Sequence, residues 1–187
     1  YATLGMDIKF HLSFRDESDG YLGDKALWDK AQEQIKQVAE KNNLEYVIDE
    51  GEAAFYGPKI DFIVTDAIGR EWQTATVQLD FVQPSEERFN LTYTAESGEK
   101  KHPVMIHCAL LGTIERFLSV YIEHTAGQFP FWLAPEQVRI LTINDSVLGY
   151  ADEVQSVLRD IFLMQPLKYN EIRYTVDKRR ESLGMKV

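Results

Sequence analysis

Tyr56, Lys59, Gln73, Thr76, Gln78, His107, Thr113 and Arg116 are the residues of this sequence whose types and spacing suit chemistry on a ligand. They lie in or beside segments that read as successive antiparallel strands, so a sheet can carry them to one surface. A two-residue period puts Thr76 and Gln78 on one strand face and Gln73 on the other, unless a bulge intervenes. A polar strand face alone is more often solvated than functional, and Lys59 beside Gly57-Pro58 reads equally as a surface lysine. His107 stands in the nearly all-apolar run Val104 to Leu111, which suits either a hydrogen-bonded core histidine or a metal ligand. No local group completes a metal site: Cys108 projects to the opposite strand face, and His11, His102 and His124 lack ligand spacing. Arg116 is either an exposed helix residue or a planar fork for phosphate or a base. There is no Gly-rich phosphate loop between strand and helix, no nucleophile elbow and no paired-cysteine metal site, so enzyme classes built on those lose weight.

The elements that must position these residues are legible in the apolar pattern. Met6 to Phe14 alternates as a strand. Asp24 to Lys41 places Leu27, Trp28, Ala31, Ile35, Val38 and Ala39 at helical spacing behind Asp24 as N-cap. A short strand, Glu45 to Ile48, precedes a loop of small residues, Gly51 to Pro58, which sets Tyr56 and Lys59 on either side of a Gly-Pro bend. Lys59 to Thr65 and Arg70 to Phe81 read as a hairpin joined by Asp66-Ala67-Ile68-Gly69. Val104 to Leu111 is a further strand, and a helix after Gly112-Thr113 presents Phe117, Leu118, Val120, Tyr121 and Ile122 before closing at Gly127. Beyond Phe129-Pro130-Phe131-Trp132-Leu133-Ala134-Pro135 the pattern changes to strand (Val138 to Ile143), helix (Val147 to Phe162) and strand (Ile172 to Val176), as in a mixed or parallel sheet. The expected boundary lies near Pro135, and the second part is short for a domain.

Composition agrees with a folded protein. Of 187 residues 44% are apolar and 12% aromatic; mean hydropathy is -0.30, and no apolar run reaches the roughly 18 residues of a membrane span. A soluble protein is expected. The start, Tyr-Ala-Thr-Leu-Gly, has neither an initiator Met nor a secretory signal and reads as a cut piece of a longer chain. A single cysteine, Cys108, suits a reducing compartment, with the cytoplasm as the expectation. The net charge of -10 argues against a surface that grips nucleic acid throughout. Residues 1 to 138 carry 12 basic and 23 acidic side chains, whereas residues 139 to 187 carry 8 and 7, with a basic run at Lys178-Arg179-Arg180.

Four strings go further than any single residue. "GEAAFYGPKIDF", "GREWQTATVQLDF" and "PVMIHCALLGTIERF" followed by "FPFWLAPEQVRI" resemble, in order, successive segments of the threonyl-tRNA synthetases, which are class II aminoacyl-tRNA synthetases. "GTIERF" resembles that class's motif 3. The resemblance implies an α+β fold: the C-terminal part of a catalytic domain with an antiparallel active-site sheet and flanking helices (residues 1–135), then the beginning of a mixed α/β anticodon-binding domain (residues 136–187).

It also implies the reaction: ATP-dependent activation of threonine to threonyl-adenylate, then transfer to the 3′ end of tRNA(Thr). Lys59 and Arg116 then match catalytic positions, Tyr56 and Gln78 line the threonine and adenylate pocket, and Gln73, Thr76, Thr113 and Arg116 match ATP-binding positions. His107 matches one zinc ligand, the others being a Cys and a His upstream of Tyr1. Zinc and ATP with Mg are the implied cofactor and substrate, and a homodimer is implied for the parent protein. Thr74-Ala75 and Cys108 stand where the family usually has Cys-Gly and Arg. Motif 1, motif 2 and the editing domain fall outside these residues, so this chain alone is expected to be inactive. Two rivals are a non-catalytic synthetase-like module that binds tRNA or protein, opposed by Lys59, His107 and Arg116, and a class II ligase for proline or serine, opposed by His107 within its string.

Overall fold

Alternation of Ile8, Phe10, Leu12 and Phe14 with polar residues produces the first strand, β1 (Ile8–Phe14). A computed structural model of the chain describes residues 1–163 and 172–186, which fall into two compact units, 1–127 and 128–187. The division precedes the aromatic stretch 129–133, ahead of the boundary expected near Pro135. In the first unit helix α1 (Lys25–Lys41) starts where the Asp24 carboxylate accepts from the Ala26 amide at 3.0 Å, a cap that satisfies one of the orphan donors of the first turn. Of its expected apolar stripe, Trp28, Ala31, Ile35 and Ala39 are buried, while Leu27 and Val38 stay about half exposed.

The α1 crossover returns the chain to β2 (Tyr46–Glu50), which pairs parallel with β1. Among the described residues this is the one parallel pair in a sheet otherwise antiparallel, because only a long crossover can join parallel neighbours. The sheet runs β2-β1-β3-β4-β7, with β3 (Lys59–Thr65), β4 (Glu71–Asp80) and β7 (Met105–Ala109). Leu12, Ile35, Ala39 and Ile60 form a buried core between α1 and one sheet face, with Phe10, Phe62 and Leu79 packed against it. The small ribbon β5 (Tyr93–Thr94) and β6 (Lys100–Lys101) sits between β4 and β7 in sequence. Helix α2 (Ile114–Thr125) buries Phe117, Val120 and Tyr121, and Leu118 and Ile122 remain exposed. Its left-handed cap residue is Ala126 (φ 51°), and Gly127 (φ 76°) follows with its amide on the Ile122 carbonyl.

The β3–β4 turn is closed by Asp66. Its carboxylate accepts from the amides of Ile68 and Arg70, the Arg70 guanidinium at 2.6 Å and the Trp72 indole at 2.8 Å. Burial pushes this carboxyl up, but the Trp72 and Arg70 bonds outweigh it and hold it well below the ordinary 3.8.

In the second unit β8 (Val138–Leu141) and β9 (Tyr174–Asp177) pair parallel, with helix α3 (Leu148–Leu163) between them in sequence and a short α4 (Leu183–Lys186) after them. The aromatic stretch is bound to this unit through Arg173, whose guanidinium donates to the Trp132 and Ala134 carbonyls. Each member of the basic run has a carboxylate partner: Lys178 with Asp152, Arg179 with Asp177 and Glu181, Arg180 with Asp145.

Candidate active site

The bulge decides which face Gln73 occupies. Asp61 pairs with Thr76, Phe62 with Ala75, and then Ile63 with Gln73, so Thr74 is the extra residue and the alternation resets across it. Gln73 therefore shares a face with Thr76 and Gln78, where strict alternation would have opposed them. Thr74 and Ala75 are both buried, and Ala75, opposite Phe62, lies on the α1 side, so its methyl group points away from the polar face. Gly112 explains the tight approach behind this bulge: at φ 62° it would place a Cβ 2.9 Å from the Thr74 carbonyl oxygen. The start of α2 is thereby set against the bulge.

The register stacks the candidates across three strands. Lys59 opposes Gln78 on β4, and Gln78 opposes His107 on β7. Hydrogen bonds link Tyr56, Gln78 and Thr76 within this set. The Tyr56 hydroxyl donates to Gln78 Oε1, Gln78 Nε2 donates to Thr76 Oγ1 at 3.3 Å, and the Tyr56 ring stands 5.4 Å from the His107 ring. Burial, then the neighbouring Asp80 charge, pushes the Tyr56 hydroxyl above its ordinary pKa of 10, so it remains a donor at neutral pH. Gly57 lets this loop close on β4, since a Cβ there would fall 2.0 Å from the Leu79 carbonyl oxygen.

Two carboxylates that the sequence reading did not single out hold the set together. Asp61 is buried and accepts from Ser13 Oγ at 2.7 Å, Lys59 Nζ at 2.6 Å and Gln73 Nε2 at 2.6 Å. Asp80 is fully buried: one oxygen accepts from the amides of Val82 and Gln83, and the other lies 2.7 Å from His107 Nε2. A signal for both was available, because Asp61 is two residues from Lys59 and Asp80 two from Gln78, and the strand period puts each pair on one face. A polar cavity of about 500 Å³ opens beside Asp61, lined by Lys59, Gln73, Ser13 and the His11–Asp49 pair, whose members are 2.5 Å apart. The opposite sheet face carries an apolar groove of similar size between α1 and Ile60, Val77, Leu79 and Ile106. Its polar lining is confined to Gln34, Gln37 and Lys41 of α1, and none of the candidate residues faces it.

His107 is no core histidine, since its side chain is 40% exposed. Among the described residues no group of three His, Cys, Asp or Glu could by itself hold a metal. His11 is engaged by Asp49, His102 by the Pro84 and Leu91 carbonyls and His124 by the Gly5 carbonyl. Tyr56, Lys59, Gln73, Thr76, Gln78 and His107 are thus brought together. Thr113, the N-cap of α2, and Arg116, exposed in its first turn, are not joined to them by any hydrogen bond or ion pair among the described residues.

Known proteins similar to this chain share one family. The family model described as the tRNA synthetase class II core domain (G, H, P, S and T) covers residues 1–125. The chain is 50% identical over 185 residues to the threonine-tRNA ligase of Gloeobacter violaceus, covering 98% of this chain and 28% of that protein. It is 48% identical over 162 residues to that of Thermus thermophilus, covering 86% of this chain and 24% of that protein. It therefore spans roughly a quarter of these relatives' length. Among solved structures, one described as the RNA binding domain of threonyl-tRNA synthetase from Cryptosporidium parvum superposes with a TM-score of 0.82 at 33% identity, covering all of this chain and 44% of that one. A putative threonyl-tRNA synthetase from Aeropyrum pernix gives 0.66 at 32% identity, covering 97% and 40%. With a largely antiparallel sheet and a family match that spans residues 1–125, this chain belongs to the class II tRNA synthetase core-domain family.

Proposed function

We propose that this chain supplies one wall of the aminoacyl-adenylate site of a threonine-tRNA ligase. The observation that carries the reading is the convergence of Lys59, Gln73, Thr76, Gln78 and His107 on one sheet face, with Gln73 delivered there by the Thr74 bulge. In the activation step a threonine carboxylate oxygen bonds to the α-phosphorus of ATP, the bond to the β-phosphate oxygen breaks, and pyrophosphate with its Mg leaves. Lys59, on the cavity wall, offsets the negative charge that builds at the reacting oxygens. Tyr56 and Gln78 form a fixed donor-acceptor pair on the amino-acid side, and Gln73, Thr76 and Thr113 serve the nucleotide. Arg116, exposed at the start of α2, stacks on the base or reaches the terminal phosphate. Transfer to the 3′ end of tRNA(Thr) follows on the same face, and residues 136–187 begin the anticodon-binding part.

The donor set suits a shared zinc ion. His107 is half exposed and has one ring nitrogen fixed by a buried carboxylate, the arrangement that orients a metal-binding imidazole. This chain gives one ligand, and a Cys and a His from the preceding part of the parent protein complete the set. Such a metal, when bound, selects a substrate hydroxyl and so discriminates threonine from isosteric valine, which an apolar pocket cannot do. Without the preceding segments the chain is inactive.

The reading is tested by threonine-dependent ATP-pyrophosphate exchange in the full-length protein that carries this segment. Exchange with threonine, lost by at least about 100-fold in Lys59→Ala, is the expected result. Exchange driven by proline or serine in place of threonine, or none with any amino acid, would overturn it.

A further inference from the structure

Asp61 is a carboxylate with no water-facing role: it is 4% exposed, yet it sits under a polar cavity and takes three donors. Ser13 and Lys59 share Oδ2, and Gln73 takes Oδ1. A buried charge is retained only where partners compensate it, and here the compensation comes from two side chains of the adenylate wall. Lys59 Nζ is pinned 2.6 Å from Asp61, with only 13% of the lysine side chain exposed, which removes most of the rotamer freedom of a four-carbon stem. The effect on Gln73 is one of polarity. An ionised carboxylate only accepts, so Gln73 must turn its NH2 group to Asp61 and leave Oε1 as the end a ligand meets.

We propose that Asp61 is the positioning residue of this face. It holds the Lys59 ammonium at one place and fixes the amide of Gln73 so that the wall presents a cation and, beside it, an acceptor for an N–H donor of the ligand. The inference rests on the proposed adenylate site and deepens it. Asp61 acts through Lys59 and Gln73.

The test is a double-mutant cycle in the full-length protein, read by the kcat and KM values of threonine-dependent pyrophosphate exchange. Asp61→Asn keeps the shape of the side chain but removes the charge and makes one end a donor. Expected is a drop in kcat on the order of 10- to 100-fold, the scale for misplacing one preorganised charge. KM for ATP should rise through Gln73, while KM for threonine stays within about twofold. In a Lys59→Ala background the same substitution should lower kcat less than about threefold, because its main intermediary is gone. Fully multiplicative losses in the double variant, or an Asp61→Asn enzyme with wild-type kcat, would overturn the proposal while leaving the adenylate site standing. If Lys59→Ala itself keeps full exchange, the site reading fails and this proposal falls with it. Should Asp61→Asn not fold, the cycle is run with Asp61→Glu, which keeps the charge and displaces it by one methylene. The same coupling to Lys59 is then expected, and additivity contradicts the proposal.

Discussion

Arg116 and Asp66 show two opposite fates of a charged side chain. Arg116 is exposed in the first turn of α2 with no carboxylate partner among the described residues, so its charge is available to a ligand. Arg116→Ala in the full-length protein should slow pyrophosphate exchange by about 100-fold; a change within about twofold returns it to the surface. Asp66 is committed to structure. Its folded carboxyl titrates below the ordinary 3.8, so its stabilising contribution is complete above about pH 4 and is lost as pH falls through the lower folded value. The melting temperature of wild type should therefore drop on acidification below pH 4 more steeply than that of Asp66→Asn, which starts lower and lacks that proton linkage. Parallel pH profiles for the two would contradict this. At this scale the sequence showed which residue types could act, because side-chain chemistry is local. It did not show who holds them: Asp61 and Asp80 gain their meaning from partners as many as 48 residues away.

Elements carry the site through register, and register was only half legible. Strand alternation and the Asp24 cap were plain in the pattern, and so was the β3–β4 hairpin. The parallel placement of β2 was not, since local alternation does not tell a strand which neighbour it meets. Nor was the position of the bulge, because Thr74 and Ala75 both fit a buried strand and only the pairing with Phe62 and Ile63 shows where the extra residue lies. The Gly51–Pro58 loop makes this concrete. Gly57 touches the β4 backbone where no side chain fits, and it stands between Tyr56 and Lys59. Gly57→Ala should cost roughly 1–3 kcal/mol by overpacking and also move both neighbours, so a stability loss in urea unfolding should come with weaker pyrophosphate exchange. Unchanged stability would mean that the loop has room to shift.

At the scale of the whole molecule the two units divide the labour. In the proposed function the first unit bears the adenylate wall, and His107 is the one zinc ligand this chain contributes. Metal analysis after dialysis should therefore find this chain nearly zinc-free and the full-length protein with one zinc per chain, because one imidazole binds far more weakly than three ligands; stoichiometric zinc in the chain alone would contradict this. In the second unit every member of Lys178-Arg179-Arg180 is already paired with a carboxylate. Changing all three to Ala should weaken tRNA binding and lower its salt slope, though by less than the roughly three expected for unpaired cations, with adenylate formation untouched. An unchanged Kd across a salt series would remove this run from the tRNA surface. The central claim, that the polar sheet face holds the adenylate, is tested most directly by a structure of the full-length protein with a non-hydrolysable threonyl-adenylate analogue. The analogue is expected on the face of Lys59, Gln73 and Gln78, within hydrogen-bond distance of at least Lys59 and Gln78. An analogue seated instead in the apolar groove beneath α1, or away from this sheet altogether, would contradict it.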